Sequence, residues 1–197
     1  MAAEFTRQNC KFPVTTGPNF HIHNVLKVFD SFVRPWRKKA DDEEHTVPKD
    51  SEIICMNALL FAFIWGYGAQ IHEDDREKFD QFLQDILAGE NVIEKWNIKD
   101  VDPETEVKAI SKLKLPNDYN SLFDLSFIPD ELKWTNWMKT IPAYEVPGDV
   151  KYSEVIVPTI DSIRINHMIT RLLFNKSHIL VCGNTGTGKS ISILNEM

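Results

Sequence analysis

The run Gly183-Asn184-Thr185-Gly186-Thr187-Gly188-Lys189-Ser190 has the Gly-x4-Gly-Lys-Ser spacing of a phosphate-binding P-loop. Its residue types suit that task. Gly183, Gly186 and Gly188 permit positive φ and keep side chains from between the main chain and an anion. Successive N–H groups can then turn inward, Asn184, Thr185 and Thr187 contributing main-chain donors, to form a concave site for a β-phosphate with the amides of a following helix. Lys189 is the point charge for the β- and γ-phosphate oxygens, and the Ser190 hydroxyl is a ligand for the bridging Mg²⁺. The cofactors to expect are therefore ATP and Mg²⁺.

A P-loop must be carried between a strand and a helix. Ile179-Leu180-Val181-Cys182 reads as a short buried strand, and the residues from Ile191 to Met197 begin a helix. Upstream, Asp161 or Ser162 is a suitable N-cap for a helix that buries Ile165, Met168, Ile169, Leu172 and Leu173. The order from Pro158 is thus turn, helix, strand, loop. In that order the turn before the helix reaches back beside a nucleotide base, making Val157, Pro158 and Thr159 adenine neighbours. A plain start of a helix explains the same three residues equally well.

A hydrolytic P-loop module also needs a second strand ending in an Mg²⁺-binding acid, a residue to orient water, and usually an arginine for the transition-state charge. The acidic runs Asp41-Asp42-Glu43-Glu44 and Glu73-Asp74-Asp75 follow no strand-like apolar segment and read as solvated loops and helix starts. No catalytic residue is assigned within the chain, which is expected to be a fragment. A lone parallel strand has no neighbours to pair with, and the stretch from Pro158 to Met197 is short for a core of its own. That end is expected to be poorly ordered alone and to bind ATP weakly or not at all.

The balance of 43% hydrophobic and 26% charged residues is that of an ordinary globular chain. A net charge of −7 argues against a nucleic-acid partner over the whole surface. From Pro158 onward, however, Arg164, Arg171, Lys176 and Lys189 outnumber Asp161 and Glu196, which suits a polyphosphate. Cys10, Cys55 and Cys182 are too scattered for a disulfide framework or zinc site, and fit a reducing compartment. Asn175-Lys176-Ser177 matches a glycosylation sequon but reads more simply as the turn before the strand. There is no signal-peptide pattern, and the apolar stretch Met56 to Trp65 falls short of the ~20 residues that span a bilayer, so no membrane segment is expected.

Along the chain, residues 1–19 are turn-rich and read as an irregular N-terminal segment. From Phe20 to Lys39, Ile22, Val25, Leu26, Phe29, Phe32, Val33 and Trp36 recur at helical steps, with Pro35 ending or kinking the helix. A second helix, Ser51 to Ile71, is apolar almost all round and belongs at the centre of a core. A third holds Phe79, Phe82, Leu83, Ile86 and Leu87 and stops at Gly89. His21 and His23 lack a third metal ligand at helical spacing and read as solvated or capping residues. From Asn91 to Pro147, short apolar patches alternate with Pro103, Pro116, Pro129, Pro142 and Pro147. Asp118 to Ile128 could include a strand, and Trp134 and Trp137 read as an anchoring face, or alternatively as an exposed partner site.

Taken jointly, these residues resemble dynein heavy chains, most closely the axonemal type. Val157-Pro158-Thr159-Ile160-Asp161-Ser162-Ile163-Arg164 and the following P-loop are similar to the opening of the third AAA+ module. Phe61 to Ala69, with Asp75 to Phe82, resembles the helical segment closing the second, and Trp134-Thr135-Asn136-Trp137 a tryptophan pair in the extension between them. Asn184 and Ser190 depart from the proline and threonine often found there without removing a required donor. The implied fold is mainly α with a short α/β end: a helical lid-like domain at 20–90, a loop-rich extension at 91–157 and the start of an AAA+ P-loop module at 158–197. The implied function is that of a microtubule motor, this P-loop being a regulatory nucleotide site. Its partners would be the other AAA+ modules of the same heavy chain, microtubules, and dynein intermediate and light chains. The place would be the cytoplasm and cytoskeleton, in the axoneme of a cilium or flagellum. The alternatives are another P-loop AAA+ remodelling ATPase and a non-catalytic helical interaction module.

Overall fold

The computed structural model describes residues 1–36, 47–102, 105–106, 108, 113–141, 157–183 and 185–194, with Pro18 and Leu194 described by backbone alone. The acidic run 41–44, His45, Pro103, Pro142, Pro147, Asn184 and Glu196 lie outside the described residues. The helices are α1 (Ala2–Asn9), α2 (Pro18–Val33), α3 (Ser51–Ala62), α4 (Glu73–Ala88), α5 (Val92–Lys95), α6 (Ile160–Phe174) and α7 (Lys189–Leu194). Strands β1 (Leu125–Ile128) and β2 (Lys133–Asn136) pair antiparallel, Leu125 opposite Asn136 and Ile128 opposite Lys133. Among the described residues the architecture is mainly helical with one small hairpin.

Local chemistry sets the helix limits. Pro18 sits in the first turn of α2, where its missing N–H costs nothing, and Pro35 lies in the 3-10 turn Arg34–Trp36 that ends the helix. The buried face of α2 runs through His21, Val25, Val28 and Phe32, while Ile22 and Leu26 point outward at 51% and 56% exposure. Periodicity therefore found the helix but set its apolar stripe slightly off. At the far end of α4, Gly89 adopts φ 79°, and the N–H groups of Gly89 and Glu90 donate back to the carbonyls of Ile86 and Asp85.

The centre of the core is α3 with its continuation, a π turn at Phe63–Tyr67 and a 3-10 turn at Gly68–Gln70. Two glycines make this junction possible. A Cβ on Gly66 would lie 2.8 Å from the Cα of Val25, and one on Gly68 would lie 2.6 Å from the Phe79 ring. The stretch Ser51–Gln70 has 20 residues, long and apolar enough by length and composition to cross a membrane, which corrects the shorter run read from sequence. Here about half of it is buried inside the protein, which accounts for the composition.

The N-terminal segment is irregular only from Cys10 to Gly17, since Ala2–Asn9 forms a helix. Phe5 of α1 is fully buried, stacks on Phe82 at 4.0 Å between ring centroids and meets Trp96 edge-on at 5.1 Å. The Thr6 hydroxyl also shares a 2.8 Å hydrogen bond with the Tyr67 hydroxyl. His21 is neither solvated nor a cap: it is buried, with its ring nitrogens bonded to Thr16 and Gln70.

The extension folds back onto this core. Trp134 and Trp137 are 3% and 2% exposed, so they anchor the hairpin and do not form an exposed site. Trp134 Nε1 donates to Asn57 Oδ1 at 2.5 Å, while Asn57 Nδ2 donates to the Ile53 carbonyl at 2.7 Å. Asp85, 2% exposed, accepts from Gln81, Lys95 and Trp96 at 2.9, 2.9 and 2.8 Å and ties α4 to α5. Burial alone would raise its pKa, but these donors outweigh burial and hold it below the usual carboxylate value.

Two stability effects are expected. Asn57→Ala leaves the Trp134 N–H buried without its acceptor and should cost about 1–3 kcal/mol in urea unfolding, less when combined with Trp134→Phe. Asp85 has a lowered folded pKa, so its contribution is present at neutral pH and is lost as pH falls through the carboxylate range, below about pH 4. Asp85→Asn should flatten that part of an acid-unfolding profile followed by tryptophan fluorescence.

Candidate functional site

The route to the glycine loop starts at α6. Its N-cap is Thr159, not Asp161 or Ser162: Thr159 Oγ1 accepts from the Ser162 N–H at 3.2 Å, and the Thr159 N–H donates to Ser162 Oγ at 2.8 Å. This is a capping box, with Ser162 as the reciprocal partner at the third helical position. The face of α6 toward the core carries Ile169, Met168 and Leu172 together with His167 and Arg171. The His167 ring lies 5.1 Å from Trp137 and 5.9 Å from Phe61, and Arg171 stacks over Phe32 at 3.7 Å. Burial, with the Arg171 charge second, lowers the His167 pKa to about 4, and burial lowers Arg171 to about 10. His167 is therefore a neutral packing residue at physiological pH.

At its C-terminus α6 turns through Asn175 and Lys176, the latter at φ 55°. The N–H groups of Lys176 and Ser177 donate to the carbonyls of Leu173 and Leu172 at 2.8 and 2.9 Å. Asn175 is buried at 5% exposure, so the turn explains the sequon. The chain then runs through His178–Cys182, one wall of a groove of about 1150 Å³ whose other walls include Phe20, Trp65, Arg76 and Arg164. Ile179–Cys182 forms no ladder with any described residue, and Leu180 is 85% exposed, so the expected buried strand is not formed. A strand is defined by its neighbours, and among the described residues the only paired strands are β1 and β2.

The loop itself has the expected backbone. Gly186 and Gly188 take φ 82° and 75°, in the left-handed region that favours glycine. A Cβ on Gly183 would lie 3.3 Å from Thr187 Oγ1 and 3.6 Å from Lys189 Cδ, space now left clear. Lys189 Nζ donates to the Gly183 carbonyl at 3.0 Å and to Thr187 Oγ1 at 3.2 Å, drawing the two sides of the loop together under one ammonium group. Ser190 is exposed in the first turn of α7, and the Ser192 N–H donates to the Gly188 carbonyl at 3.0 Å, starting that helix at the loop.

These residues fit a phosphate group: a glycine-lined backbone, a cation across its mouth and an exposed hydroxyl beside it. Gly183, Thr187 and Lys189 are brought together. Val157, Pro158 and Thr159 are not joined to the loop by any hydrogen bond among the described residues. Val157 is 58% exposed and the polar atoms of Thr159 serve the capping box, which is the role of a helix start.

A helical bundle of this kind, joined through a capped helix to a Lys-Ser glycine loop, defines an AAA lid followed by the start of a P-loop AAA module. Residues 1–139 match the dynein heavy chain AAA lid domain, and residues 144–197 match the P-loop containing dynein motor region. The chain belongs to the dynein heavy chain family. It is 27% identical over 194 residues to dynein axonemal heavy chain 3 of Homo sapiens, which covers 95% of this chain and 4% of that protein. To dynein axonemal heavy chain 1 of Homo sapiens it is 25% identical, over 98% of this chain and 4% of that one. The dynein-1-alpha heavy chain of the flagellar inner arm I1 complex of Chlamydomonas reinhardtii is 28% identical over 155 residues, 76% of this chain and 3% of its own. The chain thus spans about one twenty-fifth of the length of the first two.

Removing the cap hydroxyl tests the local assignment. Thr159→Ala should cost about 1 kcal/mol of helix stability and speed amide exchange in the first turn of α6 by roughly fivefold, with the second turn little changed.

Proposed function

We propose that residues 183–190 hold the phosphates of Mg-ATP within an ATP-driven dynein motor. In this reading the amides of Gly183, Asn184, Thr185, Gly186, Thr187 and Gly188 cradle the phosphates. Lys189 neutralises the β- and γ-oxygens, and Ser190 Oγ is the protein's ligand to Mg²⁺. Val157, Pro158 and Thr159 are proposed as neighbours of the adenine, with the plain start of α6 an equal alternative for the same residues. No catalytic residue is assigned within the chain, and the site is proposed as a regulatory one. The magnesium ion would supply charge neutralisation between the phosphates; the chain's own part is to bind and orient them.

Residues 20–90 serve as the lid-like domain, with α1 packed onto it, 91–157 as the extension, and 158 onward as the start of the nucleotide module. The partners in this proposal are the other AAA+ modules of the same heavy chain, with microtubules and intermediate and light chains engaged through the whole motor, and neither nucleic acid nor membrane. The proposed location is the cytoplasm and cytoskeleton, in the axoneme of a cilium or flagellum, a reading supported by the axonemal relatives.

The observation that supports this reading most is the Lys189 ammonium held across the loop by the Gly183 carbonyl and Thr187 hydroxyl. In a heavy chain carrying this segment, Lys189→Ala should weaken binding of a fluorescent ATP analogue by about tenfold or more, the scale of a lost charge-assisted contact. Ser190→Ala should weaken it only when Mg²⁺ is present. Unchanged affinity in Lys189→Ala would remove the assigned role.

A further inference from the structure

The helix that delivers the chain to the loop is gripped at both ends by polar contacts to two different parts of the lid and extension. Near its start, Arg164 Nη2 donates to Asp124 Oδ1 at 3.1 Å, with the arginine side chain only 19% exposed. The other oxygen of Asp124 accepts the Ser121 N–H at 3.1 Å, closing a capping box on the 3-10 turn Leu122–Asp124. The first residue of that turn, Leu122, donates its N–H to Asp80 Oδ1 on α4 at 2.7 Å. A continuous set of bonds therefore runs from α6 through the extension to the middle of α4. At the other end, Arg34 Nη1 donates to the Asn175 carbonyl and, at 3.0 Å, to Asn175 Oδ1, while Asn175 Nδ2 donates to Asp30 Oδ2 at 3.1 Å. Asn175 is the C-cap of α6 and the corner from which the loop-bearing segment leaves.

The apolar stripe between these clamps is non-directional and would tolerate small rotations of the helix. Hydrogen bonds to a fork-shaped guanidinium and to a buried amide do not. A 15-residue helix is about 22 Å long, so a tilt of about 10° at one end moves the other by about 4 Å, more than the width of a phosphate contact.

We propose that Arg164 and Asn175 are positioning residues: gripped by Asp124 and by Arg34 with Asp30, they fix the pose of the glycine loop against the lid, so that nucleotide binding and lid position are coupled through α6. The proposal rests on the nucleotide-binding reading for its ligand, but its geometry can be read without one. Coupling of this kind is reciprocal, so whatever disturbs either clamp disturbs affinity at the loop.

The test uses spin labels on the natural Cys182 and on an introduced Glu77→Cys of α4, with Cys10 and Cys55 replaced by alanine. The native chain should give one narrow distance distribution between labels. Arg164→Gln, Asp124→Asn and Asn175→Ala should each broaden it, and Arg164→Lys, which keeps the charge but not the fork, should broaden it less than Arg164→Gln. Unbroadened distributions in all three would overturn the proposal. In the heavy chain, Arg164→Gln and Asn175→Ala should also weaken binding of the ATP analogue by about fivefold with Lys189 intact. Broadened distances with unchanged affinity would overturn the coupling. Should Lys189→Ala also leave affinity unchanged, the nucleotide reading fails while the distance result still decides the clamps.

Discussion

Close approach of backbone to backbone at Gly66 is the constraint on which the remaining packing depends. The π turn Phe63–Tyr67 places Gly66 against Val25, and any side chain there would push α2 away from α3. Two residues on, Gly68 leaves room for the rings of Phe79 and Phe123, so α4 and the extension reach the same place. The aromatic cluster follows from that convergence. Phe61, Phe79, Phe82 and Phe127 are all 1% exposed or less, and burial of each such ring is worth about 1.5–3 kcal/mol against the entropy of ordering the chain.

Apolar burial concentrates the elements but does not orient them. Direction comes from a few enclosed polar groups whose partners lie on different elements. Asn57 joins α3 to β2, Asp85 joins α4 to α5, and Asp80 joins α4 to the extension. Burial, the largest influence, raises the Asp80 pKa, although the Leu122 N–H, Gln84 and Ser121 favour its charged form. Asp85 shifts the other way because Gln81, the Lys95 ammonium and the Trp96 N–H together outweigh its burial. Two carboxylates on one helix thus behave differently because of what faces them, and each fixes one neighbour's register.

What was legible in the sequence is what short-range physics determines. Gly89 ended α4, Pro35 ended α2, and the glycine spacing placed the loop, because each depends on φ values and donors within a few residues. The long helices showed themselves by repeated apolar steps. By contrast, the buried residues of α1 are Phe5 and Thr6, too few for any period to reveal. The exposed side of α2 is not legible, because Ile22 and Leu26 are apolar without being enclosed. The cap of α6 lies two or three residues before Asp161 and Ser162, because Ser162 is a member of the capping box from inside the helix, a role that composition does not separate from the cap itself. For the same reason Thr159 could be singled out by sequence without its local task being evident.

The loop and the segment leading to it show how differently two adjacent pieces of chain depend on their surroundings. The P-loop conformation is closed by contacts within itself: two left-handed glycines, one lysine ammonium, one carbonyl and one hydroxyl, all between 183 and 189. Ile179–Cys182 has the apolar sequence of a strand, yet a strand's hydrogen bonds are all to other strands, and among the described residues none pairs with it. Placement of the loop in space therefore falls to α6, the nearest element that is packed on the core at Ile169 and bonded at both ends. A binding loop whose form is local but whose position is set by one docked helix is suited to signalling between its ligand and the domain on which that helix rests.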